Sequence, residues 1–204
     1  MNNKFIVIEG SEGVGKSTQI SIIEKYLIDN SIEYLLTREP GGTPFGESIR
    51  SIILDNHNDT HELTDSLLFY AARYENYKKR IIPALSAGKT VICDRFHYST
   101  LVYQGIVGKN KTVENIHNIF DPIFSKKIDH VLYLYASPEV SLKRISRRNK
   151  TDKFESRGLE YLKELDRAYE SIFSQIENTT KIDTSGSKDD TKKALYLFLD
   201  RTFQ

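Results

Sequence analysis

Short apolar runs alternate with longer amphipathic segments along the whole chain. Residues 5–8 form a continuous apolar run bounded by polar residues, which is typical of a strand buried on both faces. After a glycine-rich turn, apolar residues at helical spacing predict a helix over 17–29. The same order of strand, turn and helix continues to the C-terminus. It predicts an α/β fold with a parallel sheet and right-handed crossovers.

The other predicted elements follow this alternation. Further strands are predicted at 34–37, 90–94, 131–136 and 180–183. Helices are predicted near 45–56, 62–86, 98–106, 113–126, 138–148, 158–177 and 188–202. Because no repeat, low-complexity tract or linker divides the chain, we expect residues 1–204 to form one domain.

The overall charge is nearly balanced, with 29 Lys and Arg against 28 Asp and Glu. This balance argues against a nucleic-acid coat or a polybasic membrane binder. The longest stretch without these charged residues, 96–108, is too short to span a bilayer. The N-terminal apolar run is too short for a signal peptide, and the one cysteine, Cys93, excludes an internal disulfide framework. A cytoplasmic protein is therefore expected.

Charge is nevertheless concentrated locally. Residues 143–153 contain six basic residues against a single acidic residue, Asp152. A basic run of this kind is most often a solvated helix face, so on its own it indicates no function.

Residues 10–17 match the phosphate-loop pattern G-x-x-x-x-G-K-[ST], between a predicted strand and a predicted helix. In such a loop, backbone N–H groups and the helix N-terminus bind phosphate oxygens. Lys16 would reach the β- and γ-phosphates of ATP, and the Ser17 hydroxyl would bind Mg²⁺. A plain glycine-rich turn would not explain these two residues. The predicted ATP-binding residues are Gly10, Ser11, Glu12, Gly13, Val14, Gly15, Lys16, Ser17 and Thr18.

Two further stretches look like GTPase motifs. Residues 149–152 have the form NKxD, and residues 183–186 have the form DxxG. A GTPase carries these motifs in the opposite order, and its NKxD follows a buried strand rather than a basic helical run. We interpret both matches as coincidences.

A second group of candidates lies after the strand at 90–94. Asp94 and Arg95 end this strand, and ligands bind at the carboxyl ends of strands in open α/β sheets. Asp94 would hold Mg²⁺ or orient Arg95, which could bridge phosphates. The alternative is an exposed Asp–Arg pair of little consequence.

Pairs of residues four apart suggest a nucleoside pocket. Phe69 and Arg73 share one face of a predicted helix, where a ring could stack on a base and a guanidinium could bind its edge. Phe69 alone would more often be a core residue. Two more polar pairs with this spacing are Ser99 with Tyr103 and Thr100 with Gln104.

Together these residues resemble the thymidylate kinases of the bacterial type over nearly the whole chain. The resemblance is carried by 9–17, 37–43, 69–73, 94–95, 103–105 and the basic segment through Lys153. Its most specific part is Arg-Glu-Pro-Gly-Gly at 38–42, followed by Glu-Ser-Ile-Arg at 47–50. The resemblance implies a P-loop NTPase-type parallel five-stranded sheet in the order 2-3-1-4-5, flanked by helices. It also implies a mobile basic lid at about 143–157 of a nucleoside monophosphate kinase domain.

The implied activity is transfer of the γ-phosphate of ATP to dTMP, giving dTDP and ADP, with Mg²⁺ as cofactor. The implied assembly is a homodimer formed through apolar helix faces. The charge balance and the short apolar runs make neither nucleic acid nor a membrane an expected partner. Two alternatives stay open: a kinase of another nucleoside monophosphate, or a P-loop nucleotide switch protein.

The resemblance also implies roles for single residues. Glu12 would contact the sugar 3′-hydroxyl, Phe69 would stack on thymine, and Arg73 would bind the thymine carbonyl. Arg50 and Arg95 would clamp the acceptor phosphate. The nucleoside pocket would also include Glu39, Ser99, Thr100, Tyr103 and Gln104, with Tyr103 crowding a ribose 2′-hydroxyl.

The phosphate loop carries no arginine, and in the bacterial type the lid then supplies a catalytic cation. The chain has Lys153 where the family commonly has Arg, and Lys cannot make the planar bidentate contact. Arg148 or Arg147 is the alternative. The predicted catalytic residues are Lys16, Arg95, Arg148, Lys153 and Glu12. A second departure is Phe96, since Tyr commonly follows the arginine.

Overall fold

The computed structural model describes residues 3–55, 58, 60–147 and 157–203. Its five strands are β1 (Phe5–Glu9), β2 (Tyr34–Arg38), β3 (Thr90–Asp94), β4 (His130–Tyr135) and β5 (Thr179–Asp183). They pair in parallel in the order β2-β3-β1-β4-β5. The predicted fold class and strand order are confirmed.

The described helices lie where the sequence pattern predicts them, with shifts at their ends. They are α1 (Lys16–Asp29), α2 (Pro44–Leu54), α3 (Glu62–Asn76), α4 (Ile82–Ser86), α5 (His97–Thr100), α6 (Lys111–Phe124), α7 (Pro138–Ile145), α8 (Gly158–Phe173) and α9 (Lys188–Phe203).

Two predicted helices are not uniform. The segment predicted at 62–86 contains a π-helical turn, Tyr77–Ile81, between α3 and α4. Pro83 cannot donate the hydrogen bond that an uninterrupted α-helix requires there, and the wider turn ends just before it. The segment predicted at 98–106 continues from α5 into a π-helix, Leu101–Val107, which carries two of the candidate pocket residues, Tyr103 and Gln104.

The sheet is covered on both faces, which explains the continuous apolar run of β1. Phe5 and Val7 belong to one buried cluster, together with side chains of α3, α6 and α8. Ile6 and Ile8 belong to a second cluster with α1 and α9. Because successive side chains of a strand point to opposite faces, the side chains on both faces of β1 must be apolar. None of the described helices has both the length and the apolar composition that crossing a bilayer requires.

The strand register brings the candidate residues to one edge of the sheet. Asp94, the last residue of β3, lies opposite Ile8 of β1 and Arg38 of β2. The carboxyl ends of these three strands are therefore neighbours. The phosphate loop follows β1, the 39–43 segment follows β2, and the turn at Arg95 follows β3.

Candidate active site

The phosphate loop is folded so tightly that two of its glycines cannot be replaced without movement of the backbone. Gly10 and Gly13 have φ values of +145° and +76°. A Cβ atom at Gly10 would lie 2.1 Å from the carbonyl oxygen of Leu134, and one at Gly13 would lie 2.5 Å from that of Ser141. Close packing against β4 and α7 thus accounts for Gly10 and Gly13, whereas Gly15 is explained by its φ of +88° alone.

The ammonium group of Lys16 lies over the loop. Its Nζ donates to the carbonyl oxygens of Gly10 at 2.9 Å and Ser11 at 2.8 Å. Burial, and secondarily the charge of Arg95, lower the pKa of Lys16 to about 8, while Asp94 and Glu12 oppose this shift. Lys16 is therefore a cation whose charge depends on pH just above neutrality.

A cavity of about 330 Å³ opens beside this loop, within the size range of small-molecule sites. Its walls come from the phosphate loop, the segment after β2, helices α2 and α3, and the segment after β3. The predicted site residues that line it are Glu12, Gly13, Gly15, Lys16, Ser17, Glu39, Arg50, Phe69, Arg73, Asp94, Arg95, Ser99, Thr100, Tyr103 and Gln104. Tertiary folding has brought together residues from five separate stretches of sequence.

Arg95 holds a central position between the loop and the rest of the cavity. Its Nη1 donates to the Gly10 carbonyl oxygen at 2.8 Å, to Ser99 Oγ at 3.2 Å and to Tyr169 OH at 3.1 Å. Its Nη2 donates to Glu12 Oε1 at 2.7 Å. Arg95 and Lys16 share the Gly10 carbonyl, so two cations converge at one edge of the phosphate loop.

Glu12 links Arg95 to the predicted nucleoside pocket. The Tyr103 hydroxyl donates to both carboxylate oxygens of Glu12, at 2.6 and 2.5 Å. The Arg95 guanidinium lies 5.2 Å from the centre of the Tyr103 ring. Burial raises the pKa of Tyr103 well above its ordinary value, so its hydroxyl stays a donor.

Arg73 is 2% exposed and is held on three sides. Nε donates to Glu39 Oε2 at 2.5 Å, Nη1 to Thr100 Oγ1 at 3.0 Å, and Nη2 to the Phe96 carbonyl oxygen at 3.2 Å. Asn76 Nδ2 donates to the second Glu39 oxygen at 3.3 Å. The guanidinium is thus fixed in the cavity wall, where its position does not depend on a ligand.

Phe69 lies between a small core cluster and the cavity. Its ring is 9% exposed and belongs to a small cluster with Ile49, Ile53 and Ala72. The same residue lines the cavity one helical turn from Arg73. One side of Phe69 is therefore core, and another borders the cavity.

The residues near Ser17 fit a hard divalent cation. Among the described residues, Asp94 Oδ1 is buried without a hydrogen-bond partner, and Asp94 and Ser17 line the same cavity. A carboxylate oxygen and a hydroxyl beside a phosphate site are oxygen ligands of the kind that Mg²⁺ uses. Arg95 makes its described ion pair with Glu12 and not with Asp94, which leaves this carboxylate available.

Sequence comparison assigns the family. A model of the family described as Thymidylate kinase matches residues 8–195. The chain belongs to the thymidylate kinase family. It is similar to two curated proteins named thymidylate kinase. One is from Francisella tularensis subsp. holarctica (strain FTNF002-00 / FTA), 37% identical over 100% of this chain and 98% of the relative. The other is from Francisella philomiragia, 38% identical over 98% of this chain and 100% of the relative.

Structural comparison agrees with this family. The crystal structure of thymidylate kinase from Ehrlichia chaffeensis matches with a TM-score of 0.75 and 26% identity, covering 100% of both chains. The predicted family and strand order are therefore both confirmed. The proposed contacts of individual residues with nucleotides stay predictions.

Four of the residues predicted to bind ATP do not line the cavity. These are Gly10, Ser11, Val14 and Thr18. The Val14 side chain is 1% exposed and packs in the core, so Val14 would contribute its backbone alone. Arg148 and Lys153, with most of the predicted lid, lie outside the described residues; Arg147 is described and exposed.

Several residues in or next to this site were not predicted from the sequence. Arg38, Pro40 and Leu54 line the cavity, and Glu9 and Tyr169 lie in the network around Arg95. Glu9 is fully buried at the end of β1, and Tyr169 of α8 reaches Arg95 with its hydroxyl. Glu9 had a usable signal, since an acid ends an otherwise apolar strand just before the phosphate loop. Tyr169 had none, because it is an ordinary apolar-face position of an amphipathic helix.

The stretch with the form DxxG braces the phosphate loop. Thr184 Oγ1 donates to the Val14 carbonyl oxygen at 2.7 Å. Arg144 donates to the carbonyl oxygens of Gly13, at 3.2 Å, and Thr184, at 2.6 Å. Both loop carbonyls are therefore held from outside by hydrogen bonds. The NKxD-like stretch at 149–152 lies outside the described residues.

Proposed function

We propose that this protein transfers the γ-phosphate of ATP to dTMP, giving dTDP and ADP. The observation that carries the proposal is the single cavity in which a phosphate loop faces Phe69 and Arg73. Family membership supports the same reaction. Neither a lone phosphate loop nor a lone aromatic pocket would distinguish a kinase from a switch protein.

The donor would bind with its β- and γ-phosphates over the loop, where Lys16 neutralises the charge that develops on them. Mg²⁺, held by Ser17 and Asp94, would supply charge neutralisation at the same oxygens. An oxygen of the acceptor phosphate attacks the γ-phosphorus, and the bond from that phosphorus to the β–γ bridging oxygen breaks. The described residues contribute chiefly position and positive charge to this step.

The acceptor phosphate would lie between Arg50 and Arg95. Arg50, on α2, donates from Nη1 to the Pro40 carbonyl oxygen at 2.9 Å, so its guanidinium is oriented from the segment after β2. Arg95 approaches from the segment after β3, beside Lys16. Two guanidinium groups on either side of one anion would orient it towards the donor.

The base would stack on Phe69, with its carbonyl edge towards Arg73. The deoxyribose would then lie against Glu12 and Tyr103, which are joined by short hydrogen bonds. Because Tyr103 is fixed by Glu12, it would exclude a ribose 2′-hydroxyl sterically. Such a pocket would distinguish dTMP from ribonucleotides and from purine nucleotides.

The catalytic cation of the lid stays a prediction, because Arg148 and Lys153 lie outside the described residues. We expect Arg148→Ala and Lys153→Ala to lower kcat more than they raise the KM for dTMP, since these cations would act on the transition state. Wild-type kcat in both variants would contradict the assignment of the lid.

Substrate competition tests the function directly. The purified enzyme is offered dTMP, dUMP, UMP, dGMP or dCMP with ATP and Mg²⁺, and ADP formation is measured. We expect the highest kcat/KM with dTMP. A higher value with another monophosphate would support the alternative kinase, and nucleotide hydrolysis that no acceptor stimulates would support a switch protein.

We also propose a homodimer that uses an exposed apolar face of α3 and α6. Leu67 and Tyr74, seven residues apart on α3, are 52% and 42% exposed. Ile119 and Ile123 of α6 are 68% and 44% exposed. Tyr74 contacts the ring of Phe120, so the two exposed stripes are adjacent. An apolar stripe shared by two packed helices favours a second copy of the chain as its partner.

A further inference from the structure

Glu9 is a buried carboxylate that contacts four donors. Its Oε1 accepts from the backbone N–H groups of Phe96 at 2.8 Å and Ser99 at 3.3 Å. Its Oε2 accepts from Ser99 Oγ at 2.6 Å and Tyr169 OH at 3.3 Å. The side chain is fully buried, so each of these bonds replaces one to water.

The backbone at Arg95 needs such support. Arg95 has a φ of +64°, a left-handed conformation that a residue other than glycine adopts at a cost. The Arg95 N–H donates to the Ile8 carbonyl oxygen at 2.8 Å, and the next N–H, that of Phe96, donates to Glu9. The end of β1 therefore holds both sides of this strained turn.

The side chain of Arg95 is held by the same group of residues. Ser99 Oγ and Tyr169 OH, which contact Glu9, both accept from Arg95 Nη1. Glu9 does not bond to Arg95 itself. It contacts the backbone next to Arg95 on one side and the two hydroxyl acceptors of the Arg95 guanidinium on the other.

We infer that Glu9 is a positioning residue for phosphoryl transfer, which holds Arg95 in its left-handed conformation and aims its guanidinium at the acceptor phosphate. This inference rests on the proposed dTMP kinase activity. Burial raises the pKa of Glu9, while the hydrogen bond from the Ser99 hydroxyl, the charge of Arg95 and the hydrogen bond from the Phe96 N–H oppose this shift.

A double-mutant cycle tests the inference. Glu9→Gln keeps the shape of the side chain. Its amide N–H groups, however, would face the N–H and O–H groups that donate to Glu9. We expect it to lower kcat/KM for dTMP by about 10-fold to 100-fold, the range for disturbing buried hydrogen bonds. In an Arg95→Ala background the same change should lower kcat/KM for dTMP by less than about twofold, because Glu9 acts through Arg95.

The cycle decides between a positioning role and a structural role for Glu9. Additive effects of Glu9→Gln and Arg95→Ala would mean a merely structural role and would overturn the inference. Wild-type enzyme that does not prefer dTMP would instead overturn the proposed function. If Glu9→Gln does not fold, Glu9→Asp replaces it in the cycle, because it keeps the charge but withdraws the carboxylate by one methylene group, and additivity again overturns the inference. Val7→Ala, on the same strand but outside the network, should lower stability and leave kcat near that of the wild type.

Discussion

The Nε atom of Arg73 donates to Glu39 Oε2 across 2.5 Å, and neither side chain is more than 3% exposed. This buried ion pair joins α3 to the segment after β2. Burial raises the pKa of Glu39 to about 7, although the charge of Arg73 and its hydrogen bond oppose the shift. The pair thus orients the residue proposed to bind the base at a considerable cost in desolvation.

Removing one member of this pair should be costly. We expect Arg73→Met to lower the free energy of unfolding by about 3–5 kcal/mol, because Glu39 would be left buried without its cation. Urea unfolding measures this change. The double variant Arg73→Met/Glu39→Met should recover part of the loss, and Lys25→Met, at an exposed pair, should cost much less than Arg73→Met. Equal costs for Arg73→Met and Lys25→Met would contradict the prediction.

The pKa of Lys16 predicts how activity depends on pH. Since this pKa is lowered to about 8, the free enzyme loses the ammonium charge as the pH rises through that value. We expect kcat/KM for ATP to fall by about tenfold per pH unit above about 8, as for one essential proton.

The control for this pH profile is Lys16→Arg, whose guanidinium keeps its charge. Its lower activity should no longer fall near pH 8. The same midpoint in both enzymes would show that another group controls the profile.

Two buried imidazoles predict a loss of stability in acid. His97 Nε2 donates to Asp121 Oδ1 at 2.9 Å, and the ring of His117 stacks on that of His97 with centroids 5.2 Å apart. Burial lowers the pKa of both histidines from 6.5 to about 4, and the charge of Arg73 contributes. Between these pH values the unfolded chain binds more protons than the folded one, so stability falls as the pH falls.

The free energy of unfolding should fall by up to about 1.4 kcal/mol per pH unit for each imidazole. Urea unfolding at several pH values between 7 and 5 measures it. His97→Gln, which can still donate to Asp121, should reduce the slope. His61→Asn, at the exposed start of α3, should leave it unchanged. An unchanged slope in His97→Gln would refute the assignment.

The proposed dimer predicts a change of molecular mass. Ile119→Glu would place a charge in the apolar face of α3 and α6, and we expect it to give monomers in size-exclusion chromatography with light scattering. Leu197→Glu changes another exposed apolar residue, on α9, and should leave the mass unchanged. A dimer that survives Ile119→Glu would place the interface elsewhere.

The sequence by itself determined the class of fold and most of the residues that line the cavity. Apolar runs and helical periodicity depend on local burial, so strands and helices could be predicted within a few residues. The phosphate loop could be predicted equally well, since the residues that form it, including Gly10, Gly13 and Lys16, lie within one short segment. Phe69 and Arg73 were found because helical geometry places residues four apart on one face.

Only the tertiary structure decided which groups act on each other. Arg95 follows Asp94 in the sequence, yet its ion pair is with Glu12, and its position depends on Glu9 and Tyr169. The π-helical turn that carries Tyr103 was likewise invisible in the pattern. Hydrogen bonds between distant segments depend on the register of strands and the packing of helices, and neither has a local signature in the chain.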